Sequence, residues 1–212
     1  MKFSVTVLIL FSVNHALSDQ FLLRWDLLGY DIPPPEVTEW RAGVITGYFS
    51  QRLDHFDPSN TRIWLQRYFV SDKYFDAEKR DVIFLMISGE GQASEDWLKG
   101  GSWIKSAKKY GALLFVLEHR FYGVSQPFRD LRTENLRFLS SRQALQDAAV
   151  FINGINQKYN LDKDAMWIAF GGSYAGALVA WLRLKYPHLV QGAVSASGPI
   201  HAQLDFHGMS TV

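Results

Sequence analysis

The chain of 212 residues contains no cysteine, which excludes a disulfide scaffold, a Cys-ligated zinc site, an iron–sulfur cluster and a thiol nucleophile. Charge of one sign is lacking too. The 22 Lys+Arg are matched by 21 Asp+Glu with no block of like charge, so no electrostatic footprint for nucleic acid or an anionic membrane is present. Beyond Val13 no apolar run reaches the roughly 20 residues that a bilayer span requires. Internal repeats and Asn-x-Ser/Thr acceptors are absent as well. What remains, 48% apolar and 15% aromatic residues, describes a globular chain with a sizeable core. Nothing in it calls for a metal or a cofactor.

Residues 1–18 carry Lys2, the apolar run Phe3 to Val13, and Ala16-Leu17-Ser18, with small side chains at the first and third places of a cleavage triplet. This is the pattern of a secretory signal peptide. Asn14 and His15 end the run too early for a membrane anchor. The absence of disulfides runs against the habit of secreted proteins. Residues 19–46, with Pro33-Pro34-Pro35 and no sustained period, read as a leader or extended strap, and residues 47–212 as the ordered domain.

Within that domain, Thr61 to Val70 alternates apolar and polar side chains and reads as a half-buried antiparallel strand. Asp81 to Ser88, Ala112 to Leu117, Ala165 to Phe170 and, more weakly, Val190 to Ala196 read as strands buried on both faces. Helical patterns lie between them. Ser94 to Tyr110 is interrupted by Gly100-Gly101. Ser140 to Tyr159 opens with a capping box of Ser140 and Gln143, and Tyr174 to Tyr186 is stopped by Pro187. Trp97, Trp103, Trp167 and Trp181 read as core side chains. Buried strands alternating with helices imply an α/β fold with a mostly parallel sheet and helices on both faces.

The most informative stretch is Gly171-Gly172-Ser173-Tyr174-Ala175-Gly176, directly after a buried strand and directly before a helix. Small residues let strand and helix approach each other closely, which lifts a serine to the apex of a strained turn. Its Oγ then stands near free helix N–H groups that favour a developing oxyanion. Ala175 stands where the Gly-x-Ser-x-Gly pattern has glycine, with Gly176 one place later. Gly89-Glu90-Gly91-Gln92, after another strand, occupies the position from which this architecture supplies a second oxyanion N–H, with Gly91 the candidate donor. A plain turn is the competing reading of that loop.

Tyr48 to Phe56 (YFSQRLDHF), Gly89-Glu90-Gly91, Glu118 to Gly123 (EHRFYG), Gln143 to Asp147 (QALQD), the Ser173 elbow and Leu184 to His188 (LKYPH) follow one another in an order that resembles a known family. It is the serine exopeptidase family of lysosomal Pro-Xaa carboxypeptidase and dipeptidyl peptidase II. The Ser-Tyr-Ala-Gly elbow and Leu204-Asp205-Phe206 are most similar to its thymus-specific serine peptidase branch. The resemblance implies an α/β-hydrolase fold, a Ser-Asp-His triad and cleavage of short peptides, often beside proline. It also implies a secreted or lysosomal destination.

In that architecture the acid and the histidine follow the serine in chain order, and few residues follow Ala196. The chain is therefore expected to be the N-terminal part of such an enzyme, a fragment or a natural short form, truncated before the cap and the last strands. His55 and His119 precede the serine. His119 either lines the active-site rim or holds its own loop, and His188 suits a helix C-terminus. His201 and His207 leave no room for an acid-bearing strand, which disfavours both as general base. Asp147 reads as solvated or paired with backbone, and Glu90 as either a contact for a substrate amine or a loop carboxylate. The competing reading is a non-catalytic, secreted binding protein of hydrolase-like fold. A lipase or esterase would leave the other five motifs unexplained.

Overall fold

A computed structural model of the chain describes residues 43–78, 82–161, 164–201 and 204. The expected signal peptide, residues 19–42 of the expected leader, and His207 lie outside them. Six strands, β1 (Ile45–Arg52), β2 (Ile63–Ser71), β3 (Val82–Ile87), β4 (Leu113–Leu117), β5 (Met166–Gly172) and β6 (Val190–Ala196), make one sheet. Their spatial order is β1-β2-β4-β3-β5-β6. The four from β3 to β6 are parallel, while β2 runs antiparallel to both β1 and β4. Four of the five strands expected from sequence are thus the parallel ones, and the alternating one is antiparallel as expected. β1 is an addition, and it begins at Ile45, inside the expected leader.

The helices are α1 (Ser102–Tyr110), the short α2 (Thr133–Leu136), α3 (Ser141–Lys158) and α4 (Ser173–Lys185), with a 3-10 turn at Glu95–Leu98. Alternate side chains of the parallel strands go to opposite faces. Ile83, Leu85, Ile87, Leu113, Phe115, Leu117, Trp167 and Ala169 meet Leu145, Ala148, Phe151, Ile152 and Ile155 of α3 and Leu178, Val179 and Leu182 of α4. Phe84, Leu114 and Val116 meet Trp103, Ile104 and Ala107 of α1 on the other face. Burying each large apolar side chain contributes about 1.5–3 kcal/mol, so these two layers carry the fold.

Two helix expectations are modified by backbone chemistry. The pattern from Ser94 to Tyr110 is not one helix. Ser94 caps the 3-10 turn by accepting the Asp96 N–H, Gly101 then takes φ 96°, and α1 starts afresh at Ser102. At α3, Ser140 Oγ accepts the Gln143 N–H at 3.2 Å, but the capping box forms only by half. The Gln143 amide turns outward, donating to Asp54 Oδ1 at 2.6 Å and accepting the His55 N–H at 3.1 Å.

The reading of Asp147 as solvated or paired with backbone is overturned. Its side chain is 1% exposed and takes both Nε and an Nη of Arg120 at 2.6 and 2.7 Å, together with His55 Nε2 at 2.6 Å. A carboxylate sealed from water is tolerable only when paired and hydrogen-bonded, and these three bonds supply the pairing. Trp103 and Trp167 are buried, and Trp97 and Trp181 pack against the edges of the two layers.

Candidate active site

The turn from β5 into α4 holds Ser173 with φ 52°, one of the few non-glycine residues in the left-handed region. Such a conformation costs a non-glycine residue about 1–3 kcal/mol and persists only where the surroundings over-determine it. Here glycines do so. A Cβ on Gly171 would collide with the carbonyl oxygen of Ala175, and one on Gly176 would stand 2.8 Å from the Ala196 carbonyl oxygen. Helix and strand therefore close to backbone contact on both sides of the serine. Ala175 is buried without conflict, so the departure from the five-residue glycine pattern is accommodated. Ser173 itself is half-exposed at the first residue of α4.

Tyr174 follows, and its hydroxyl joins a directional chain. The Nδ1 of His119 lies 2.7 Å from the carbonyl oxygen of Arg120, which can only accept, so Nδ1 carries the proton. Nε2 is then the acceptor, and Tyr174 Oη donates to it at 3.1 Å. Ser141 Oγ, 3.1 Å from the same hydroxyl, completes the sequence as donor. Burial holds the imidazole of His119 down at about 4, so it is neutral wherever this chain folds at ordinary pH. Of the two readings left open for His119, the one that holds a loop describes its contacts. His119 is sealed, and its partners are a carbonyl and a tyrosine.

The loop after β3 approaches from the side. Gly89 is buried, while Glu90 and Gly91 are half-exposed. Burial pushes the Glu90 carboxyl above the usual carboxylate range. Its charge in turn adds to the burial that raises the hydroxyls of Tyr122 and Tyr174, so one carboxylate and two phenols lie within electrostatic reach of one another.

Glu118 was not anticipated as a site residue. It is fully buried and saturated. Oε1 accepts the Ala93 N–H at 3.0 Å and an Nη of Arg67 at 2.5 Å. Oε2 accepts the N–H groups of Val124 and Ser125 at 3.1 and 3.0 Å and the Ser125 hydroxyl at 2.7 Å. The available signal was a run of three ionisable residues, Glu118-His119-Arg120, immediately after a wholly apolar strand.

Residues 51–212 match the serine carboxypeptidase S28 family. The chain belongs to that family. The human thymus-specific serine protease is 44% identical over 160 residues, covering 76% of this chain and 31% of that protein. The mouse protein of the same name is 44% identical over 167 residues, covering 78% and 32%. Human lysosomal Pro-X carboxypeptidase is 39% identical over 156 residues, covering 72% and 31%. The chain spans about a third of the length of the curated relatives it matches. A solved structure of a candidate dipeptidyl aminopeptidase IV from Bacteroides ovatus superimposes with a TM-score of 0.50 at 16% identity, over 73% of this chain and 21% of that one. At that identity the likeness is one of fold, the α/β-hydrolase fold.

The other described histidines of this S28 chain have partners or exposure of their own. His55 is bonded to Asp147, His188 is exposed beside Tyr186, and His201 is exposed. Among the described residues no histidine is hydrogen-bonded to Ser173 Oγ, no group of His, Asp and Glu could hold a metal ion, and no helix is long and apolar enough to cross a membrane.

Proposed function

We propose that this chain carries the nucleophile half of a serine-type exopeptidase that acts on short peptides, next to proline, in a secreted or lysosomal setting. The observation that carries the reading is Ser173, a serine at φ 52° on a strand-to-helix turn, in a chain of the serine carboxypeptidase S28 family. The names of its relatives support the substrate class and the destination.

In this reading Ser173 Oγ attacks the scissile carbonyl carbon and loses its proton to a histidine base. The new oxyanion is met by the N–H of Tyr174 and by an N–H of the Gly89–Gln92 loop, with Gly91 the assigned donor. Collapse of the tetrahedral species expels the amine, which takes that proton, and leaves an acyl ester on Ser173. Water then attacks the ester, giving up its proton to the same base. The serine regains a proton as the acid product leaves. None of the described histidines bonds to Ser173, so the reading assigns the base to a residue outside them. Glu90, on the rim with its raised carboxyl, is assigned to a cationic group of the substrate such as a terminal amine, and His119 acts through Tyr174.

The test is labelling of the full-length gene product with a serine-directed peptidyl phosphonate. Ser173→Ala should abolish labelling while leaving the circular dichroism spectrum intact. Persistent labelling would transfer the role to another nucleophile, and no labelling of the unaltered protein would favour a non-catalytic binding protein.

A further inference from the structure

The two N–H groups assigned to the oxyanion hole sit at the ends of different strands, one after β3 and one after β5. Electrostatic stabilisation of an oxyanion needs both donors within about 0.5 Å of their productive positions. Something must therefore fix one loop against the other, and the loop after β4 reaches both. We propose that Glu118 and His119 are positioning residues that set the two oxyanion donors against each other. The proposal rests on the reading of Ser173 as nucleophile and deepens it.

Glu118 holds the near side. Its Oε1 takes the Ala93 N–H at 3.0 Å, one residue past the Gly89–Gln92 loop. The carboxylate cannot swing, because Arg67 shares Oε1 while Val124 and Ser125 occupy Oε2. A Cβ on Gly123 would collide with that carboxylate, so its own loop closes tightly over it. His119 holds the far side. Its Nε2 accepts from the hydroxyl of Tyr174, the residue whose N–H is the other donor. The ring is fixed in turn by the Nδ1 bond to Arg120 O at 2.7 Å. Two consecutive residues on one backbone thus brace the two halves of the hole. An amide at 118 could not replace the carboxylate, since its NH2 would face either the Ala93 N–H or the Ser125 donors, two donors opposed.

The full-length gene product, assayed on a peptide substrate, tests this through the split between kcat and KM. Glu118→Gln and His119→Phe should each lower kcat about 10- to 100-fold, less than the roughly 100- to 1,000-fold loss of deleting an oxyanion donor outright, because each displaces a donor without removing it. KM should stay within about threefold, and the affinity of a peptide aldehyde, which forms an oxyanion on the serine, should fall by the same factor as kcat. Tyr174→Phe should match His119→Phe, and the double variant should be no worse than either, because both remove one interaction. His119→Gln, which keeps an acceptor, should recover part of the rate. Folded variants with unchanged kcat, or a loss carried by KM alone, overturn the proposal. If Glu118→Gln fails to fold, the His119 and Tyr174 pair decides the matter alone. Ser173→Ala separates the two failures. Activity surviving in Ser173→Ala refutes the nucleophile reading, whereas a silent Ser173→Ala beside fully active Glu118 and His119 variants refutes only the positioning role.

Discussion

Arg120 meets Asp147 through two parallel bonds, Nε to Oδ2 at 2.6 Å and Nη2 to Oδ1 at 2.7 Å, with both side chains sealed from solvent. Nη1 donates to the carbonyl oxygens of Leu53 and Phe138 at 3.1 and 2.9 Å, and Nη2 also reaches that of Arg52 at 3.5 Å. One side chain therefore ties the turn after β1, the segment before α3, and α3 itself. Asp147→Ala should destabilise the protein by about 3–5 kcal/mol, because it strands a buried guanidinium. Urea denaturation would measure this, and a loss under 1 kcal/mol would contradict the buried pairing.

The left-handed φ of Ser173 makes an unusual stability prediction. Ser173→Gly should be more stable than Ser173→Ala by about 1 kcal/mol, since only the glycine relieves the strain. Thermal melts of the two variants compare them directly. Equal melting temperatures would mean that the turn is not strained.

At Gly171 and Gly176 glycine should again be preferred to alanine, for a different reason. Either one changed to alanine drives a Cβ into backbone, the Ala175 or Ala196 carbonyl oxygen, where no side chain can move aside. Losses above about 2 kcal/mol are expected, as for overpacking in a rigid core. Gly43, with nothing near a built Cβ, is the control for crowding, although its φ of 122° adds strain of its own.

His119 gives a pH dependence with a definite sign. Burial lowers its folded pKa to about 4 from the ordinary 6.5, so between those values the unfolded chain binds more protons. Its stabilising contribution is complete above pH 6.5 and declines as the pH falls toward 4, by on the order of 3 kcal/mol in all. Replacement by glutamine should flatten that part of the stability profile. Nitrogen NMR of the imidazole should find the Nδ1–H tautomer still neutral at pH 5. A ring titrating near 6.5 would be incompatible with the Tyr174 bond.

β6 lies at one edge of the sheet among the described residues, pairing only with β5. Its sequence, Val190 to Ala196, offers no Lys or Pro to discourage another strand. Residues 19–212 expressed alone should self-associate, and Val194→Lys should reduce that association in sedimentation experiments. A monodisperse, cooperatively unfolding monomer without the substitution would count against an open edge.

The parallel strands and the elbow were legible because both are local. A run such as Leu113 to Leu117 is apolar throughout, as a strand buried on both faces must be, and the elbow advertises itself by its small residues. β1 was not legible. Most of its residues are exposed or half-exposed, it contains Gly47 and ends in polar Ser50-Gln51-Arg52, and it acquires its place by pairing with β2. The buried polar groups were hidden for another reason. Gln51 donates to Gln66 and to the carbonyl of Asp147, each at 2.8 Å, and Gln66 donates to the carbonyl of Glu118 at 2.7 Å. Each of these side chains donates to a residue well separated in sequence, so no local pattern of hydropathy separates it from a solvated side chain. Asp147 was misread on the same ground.

The sheet order also explains why the serine loop and the glycine loop face each other at all. The chain leaves β3 for β4 on one side, then returns past β3 to β5 on the other. Right-handed crossovers consequently send α1 to one face and α3 and α4 to the opposite face. β3 and β5 pair directly, but the connections that leave them diverge, and at such a topological switch point open α/β sheets bind ligands in the crevice beyond the carboxyl ends of the strands. The Gly89–Gln92 loop and Ser173 follow the carboxyl ends of these two neighbouring strands. The winding of the backbone thus lays out a place for a ligand before any catalytic side chain is specified.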